Sequence, residues 1–108
     1  MNETETDDKT ASLLAALWLR NLPLVEERLA LLDRATAAIA DGRLTEELRE
    51  EASHTAHKLA GSLGMYGYDE GTRIAREIEV LLVGDGTPDA ARFSNLVAEL
   101  RQAVFLEA

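Results

Sequence analysis

The sequence predicts an all-α protein: an antiparallel up-down-up-down four-helix bundle with an additional short N-terminal helix. Three observations lead there. Apolar residues recur at intervals of three and four along most of the chain, and no useful length alternates at the two-residue period of a strand. The breaks between periodic segments are short and rich in Gly, Pro, Asn and Asp, and short connections favour antiparallel neighbours.

Residues 1–9 are polar and acidic and are expected to be frayed, leaving 10–108 as a single helical domain. Thr10 caps a first short helix to about Arg20, in which Leu13, Leu14, Leu17 and Trp18 form a face expected to enter the core. Asn21 and Pro23 restart the chain, since proline suits a first helical position, where its missing N–H is no loss. Val25, Leu29, Leu32, Thr36 and Ile39 then line a second helix that Asp41-Gly42 stops. Thr45, with Glu46 and Glu47 behind it, starts the third helix, because acidic residues favour the positive end of a helix dipole. It runs to about Tyr66, where Gly67 closes it. Asp69 caps the fourth helix, with Ile74, Ile78, Leu81 and Leu82 inward, and Gly84-Asp85-Gly86 breaks it. Thr87-Pro88 starts the fifth, which buries Phe93, Leu96, Val97, Leu100 and Val104, so the bundle spans residues 22 to 107.

Composition narrows the class. At 108 residues there is room for one modest core, and 46% hydrophobic residues argue against disorder. A net charge of −9 is unfavourable for nucleic-acid binding and for anionic membranes. The chain has no cysteine, hence no disulfide and no thiolate metal site. It has neither a membrane-length apolar run nor a basic-then-apolar leader, and a cytoplasmic protein is expected.

One stretch, His54 to Gly67, asks for more than a bundle role. At 100° per residue, Leu44, Leu48, Ala52, Ala56, Leu59, Leu63 and Tyr66 share one stripe, and His57 points roughly 160° from it. Ser53, Gly61 and Gly64 share the histidine's outward face. A helical glycine costs about 0.8 to 1 kcal/mol relative to alanine, so two beside one imidazole suggest a surface cleared for another protein to approach. Gly61, one turn on, is the residue whose side chain would crowd the ring. His54 lacks this setting and reads as surface. A neutral imidazole, with an ordinary pKa near 6.5, keeps one nitrogen lone pair free for attack on phosphorus.

The run His57-Lys58-Leu59-Ala60-Gly61-Ser62, with Gly67 ten residues after the histidine, resembles the motif of histidine-containing phosphotransfer (HPt) domains. That motif is His-x-Leu-(Lys or Ala)-Gly-Ser followed by a glycine. The downstream run from Tyr68 to Leu82, with Gly71, Arg73, Ile74, Ala75, Arg76, Glu77, Ile78 and Glu79, looks like the helix that follows it. Many members carry a lysine three positions after the histidine; this chain has Ala60.

The resemblance implies that His57 accepts a phosphoryl group at Nε2 from the aspartyl phosphate of a response-regulator receiver domain, or from a hybrid histidine kinase, and passes it to another receiver aspartate. It agrees with the four-helix bundle. Lys58 is the candidate for supporting the phosphate from the side, with Ser53, Gly61 and Gly64 on the docking face; Arg73 and Arg76 on the next helix are the other basic residues considered. No cofactor is expected, and magnesium would belong to the partner's aspartate pocket. There is no glycine-rich nucleotide loop, so autonomous kinase activity is not expected, and the protein is expected to be monomeric. The competing reading is a non-catalytic helical adaptor that binds a receiver without transfer. A piece of a larger hybrid or chemotaxis-type kinase is a third.

Overall fold

The computed structural model describes residues 3–84 and 86–105. Among them are four helices and no strand: α1 (Glu3–Ala40), α2 (Glu46–Met65), α3 (Asp69–Leu82) and α4 (Ala90–Phe105). α1 packs on α2 and α4, and α3 packs on the same two. Residues 1, 2, 85 and 106–108, which include part of the expected frayed N-terminus, the centre of the Gly84–Gly86 break and the end of the expected bundle, lie outside the described residues.

The core holds the expected stripes. Val25, Leu29, Leu32 and Ile39 of α1 are buried, as are Ala52, Ala56, Leu59 and Leu63 of α2, Ile74, Ile78 and Leu82 of α3, and Phe93, Leu96, Val97, Leu100 and Val104 of α4. Leu81 packs on this core from a half-buried position.

The expected break between a first short helix and a second does not occur. α1 runs unbroken through Pro23. Proline removes the bond to the carbonyl four residues back, that of Leu19, but both Pro23 and Leu19 are exposed and water can satisfy the orphaned oxygen. The same continuity takes in residues 3–9 and overturns the core assignment of the first leucines. Leu13, Leu14 and Leu17 are 60%, 40% and 40% exposed, because a helix of 38 residues, about 57 Å long, outruns the 20 residues of α2 and projects past the bundle. The molecule is accordingly elongated, at 59 × 22 × 19 Å. Trp18 of that face packs on the core and makes an edge-on contact with Tyr66 (ring centroids 5.2 Å apart) and a tilted one with Tyr68 (4.7 Å).

The helix ends follow local chemistry. Thr45 caps α2 as expected, its hydroxyl accepting from the Leu48 N–H at 3.1 Å. Gly67 leaves α2 at φ +84°, which only glycine adopts cheaply. Two starts differ from expectation. Asp69 is the first helical residue of α3 rather than its cap, which is Tyr68, without a side-chain bond. α4 begins at Ala90 rather than at Thr87-Pro88, because the Asp89 carboxylate accepts from the Arg92 N–H and so supplies the N-cap.

Arg49 of α2 is a buried cation whose guanidinium does what no apolar residue could there. Nη1 donates to the Leu82 carbonyl at 3.2 Å and Nη2 to the Gly86 carbonyl at 2.7 Å. It thus satisfies a terminal carbonyl of α3, sets a positive charge at the negative end of that helix, and ties down the turn into α4. Arg49→Ala should lower stability by about 2 kcal/mol through these lost charge-assisted bonds, read as a lower urea midpoint at unchanged slope.

Candidate functional site

α2 and α3 pack side by side, in a register that three contacts fix. The Thr72 hydroxyl donates to the Ala60 carbonyl at 2.9 Å. A Cβ added to Gly64 would stand 3.2 Å from Thr72 Oγ1, and one added to Gly71 would stand 3.1 Å from Leu63 Cδ1. Gly71 is buried, so its missing side chain is what lets α3 lie this close to α2.

That register brings Glu79 of α3 to His57 of α2. Nδ1 of His57 lies 3.1 Å from Glu79 Oε2 and 3.4 Å from Oε1. An ionised carboxylate only accepts, so Nδ1 is the nitrogen that donates, and in a neutral ring that arrangement leaves the lone pair on Nε2. The imidazole is 76% exposed and the carboxylate 29% exposed. The contact with Glu79 therefore orients the ring through Nδ1 while its second nitrogen stays in the open.

His57 does not stand opposite the core, as the narrow stripe predicted. Thr55 and Ala60 are buried as well, which widens the buried face of α2 and moves His57 to the border with α3. Around it the outward face is bare. Gly61 is exposed and an added Cβ would meet nothing within 4 Å, while Gly64 is exposed but already touches α3. Ser53, half-buried, lines an open groove beside His57 with Glu50, His54 and Leu82. Ser62, of the same motif, faces the other way and takes a hydrogen bond from Asn21 Nδ2 of α1 at 3.3 Å.

Lys58 is not part of this constellation. It is exposed on the α1 side of α2, in a groove with Glu27, Arg28 and Glu51, about 100° around the helix from His57. Arg73 of α3 is committed elsewhere: it pairs with Glu70 and donates to Glu77 Oε1 at 3.0 Å. Its hydrogen bond holds the Glu70 carboxyl below the ordinary range, and the same bond pushes its own pKa upward. Arg76 is exposed and has no ion-pair partner among the described residues.

Glu79, the partner of His57, is the residue that sequence reasoning left without a role. A usable signal existed: it lies as many residues after the turn residue Tyr68 as His57 lies before it, which is where an antiparallel hairpin sets two residues side by side. Among the described residues, no three His, Asp or Glu side chains gather as a metal site would need, and no helix is long and apolar enough to cross a membrane.

Comparison with known proteins bears on most of the chain. The Hpt domain family matches residues 19–104. Protein RcaC of Microchaete diplosiphon is 30% identical over 81 residues, which make up 75% of this chain but 12% of RcaC, so the chain spans a small part of that relative's length. No solved structure matches.

The two outward glycines should respond differently to alanine. Gly61→Ala should stabilise the free protein by about 0.8 kcal/mol, because helix propensity improves and nothing is in the way. Gly64→Ala should gain less, since its methyl group crowds the Thr72 hydroxyl. Urea denaturation of the two variants side by side measures the difference.

Proposed function

This chain belongs to the Hpt domain family, and on that footing we propose that it is a phosphorelay intermediate in which His57 receives a phosphoryl group from a receiver aspartate or a histidine kinase and hands it to a receiver aspartate. The observation that carries this reading is the His57–Glu79 pair: an open Nε2 on a ring whose Nδ1 is anchored to a carboxylate. The reading includes an up-down-up-down order for the helices, supported by their neighbour relations, residues 10–108 as one domain, and a monomer working in the cytoplasm.

In the transfer, the Nε2 lone pair attacks phosphorus of the aspartyl phosphate. The N–P bond forms as the P–O bond to the carboxylate breaks, and the carboxylate leaves as an anion. Nδ1 keeps its proton, so the ring gains positive charge, and the Glu79 carboxylate 3.1 Å away is set to stabilise it. The return step reverses each bond and restores the neutral imidazole. Phosphoryl transfer asks chiefly for in-line approach and charge neutralisation. Gly61 leaves room for a partner's backbone beside the ring, and magnesium comes with the partner's aspartate pocket.

The test is phosphorylation of the purified protein by a phosphorylated receiver with magnesium, followed by mass mapping of the acid-labile phosphate. Wild type should be labelled on His57, and His57→Gln should take no label while unfolding at the same denaturant concentration. Label persisting in His57→Gln overturns the assignment, and receiver binding that survives in His57→Ala with no transfer by either protein favours the adaptor. Glu79→Ala should remain folded and be labelled about tenfold more slowly, because the ring loses the carboxylate that orients it.

A further inference from the structure

A phosphoryl group on His57 would bring negative charge to a protein already at −9, beside the carboxylate of Glu79. Some cation has to offset it. On α2 the residue one turn after His57 on the α3 side is Ala60, 5% exposed and uncharged. Lys58 lies around the helix toward α1, in a groove shared with Glu27 and Glu51. Arg73 is engaged by two glutamates.

We propose that Arg76 of α3 is the cation that binds the phosphoryl group on His57, a role that rests on the phosphotransfer reading above. Its position follows from the register. Thr72 bonds Ala60 and Glu79 bonds His57, so both point toward α2. Arg76 lies four residues after the first and three before the second, and at 100° per residue it falls about 40° and 60° from them, on the side turned outward. Along the axis it lies between Thr72 and Glu79, about 4.5 Å from the level of Glu79, and so between the levels of Ala60 and His57.

The space between is clear, because Gly61 has no side chain and the volume a Cβ would fill there is open. A guanidinium on a long flexible stem can cross that gap to a phosphoryl group extending from Nε2, and its planar fork suits two phosphate oxygens at once. Arg76 also lines an open groove of about 520 Å³ with the charged residues Asp69, Arg73, Glu77 and Arg92; Glu77 is paired with Arg73, and Arg76 forms no ion pair with either acid, so its side chain has room to swing. The other charged side chains near the ring on α2 are Glu50, one further turn back, His54 and Lys58; Glu79 is the acidic neighbour on α3.

The inference can be tested apart from any receiver. The purified protein is phosphorylated chemically on His57 with phosphoramidate, and the phosphoryl ³¹P resonance is followed against pH. Arg76→Gln should raise the midpoint of its titration by about 0.5 pH, since the dianion loses its cation, and Lys58→Gln should shift it by less than half as much. Arg76→Lys should restore most of the wild-type midpoint. Circular dichroism should be unchanged, because Arg76 is exposed and has no ion-pair partner among the described residues. With a phosphorylated receiver, Arg76→Gln should also shift the equilibrium away from phosphohistidine by about threefold.

A midpoint unchanged in Arg76→Gln, a larger shift in Lys58→Gln, or no label on His57 from phosphoramidate overturns the inference. Labelling by phosphoramidate with the predicted shift, but no phosphate accepted from any receiver, would sink the phosphorelay reading and leave the anion site standing.

Discussion

The close seating of α3 on α2 is the constraint from which the site's arrangement follows. It depends on a hydrogen bond from Thr72 to Ala60, on the absent side chain of Gly71, and on the tight turn through Gly67. Helical side chains are set by register, so one turn of slippage between these helices would carry Glu79 past His57 and leave Nδ1 to solvent. The pairing is also economical of groups. One carboxylate orients the ring at Nδ1 and, in the proposed transfer, also faces the ring on which positive charge grows.

Other polar contacts serve the frame. Arg49 reaches under the α3–α4 turn to the Leu82 and Gly86 carbonyls, and Arg101 of α4 takes both oxygens of Asp33 on α1 at 3.2 and 2.8 Å. The first bond set is buried and matters to stability. The second is exposed, and pairs of that kind contribute little on their own. The proposed phosphate-binding site therefore rests on elements whose relative positions are held from two sides.

Much of this was legible in the residues. The apolar stripes of α2 to α4, the cap at Thr45, the turn at Gly67 and the exposure of His57 and Gly61 all follow from rules that act within a few residues. What escaped the sequence depends on distances between elements. Glu70, Glu77 and Glu79 are alike in composition terms, and only the register separates the one that meets the histidine. Lys58 adjoins His57 in sequence, yet a helix turns consecutive residues to different neighbours. The leucines of the first helix have a core-like spacing, but a stripe buries itself only where another element stands opposite, and α1 extends beyond α2.

Pro23 carries a consequence of another kind. The sequence signals a boundary there, and α1 continues regardless, with one rung of its hydrogen-bond ladder missing at the Leu19 carbonyl. Helical segments open most readily where the ladder is already interrupted and few side chains are packed. The N-terminal part of α1, to which the Trp18 aromatic contacts and the Asn21–Ser62 bond contribute, can thus fray back to that rung while Val25, Leu29 and Leu32 keep their places. Its amide protons would exchange with solvent well before those of the bundle, and the boundary read from the sequence survives as a boundary of cooperativity within one continuous helix.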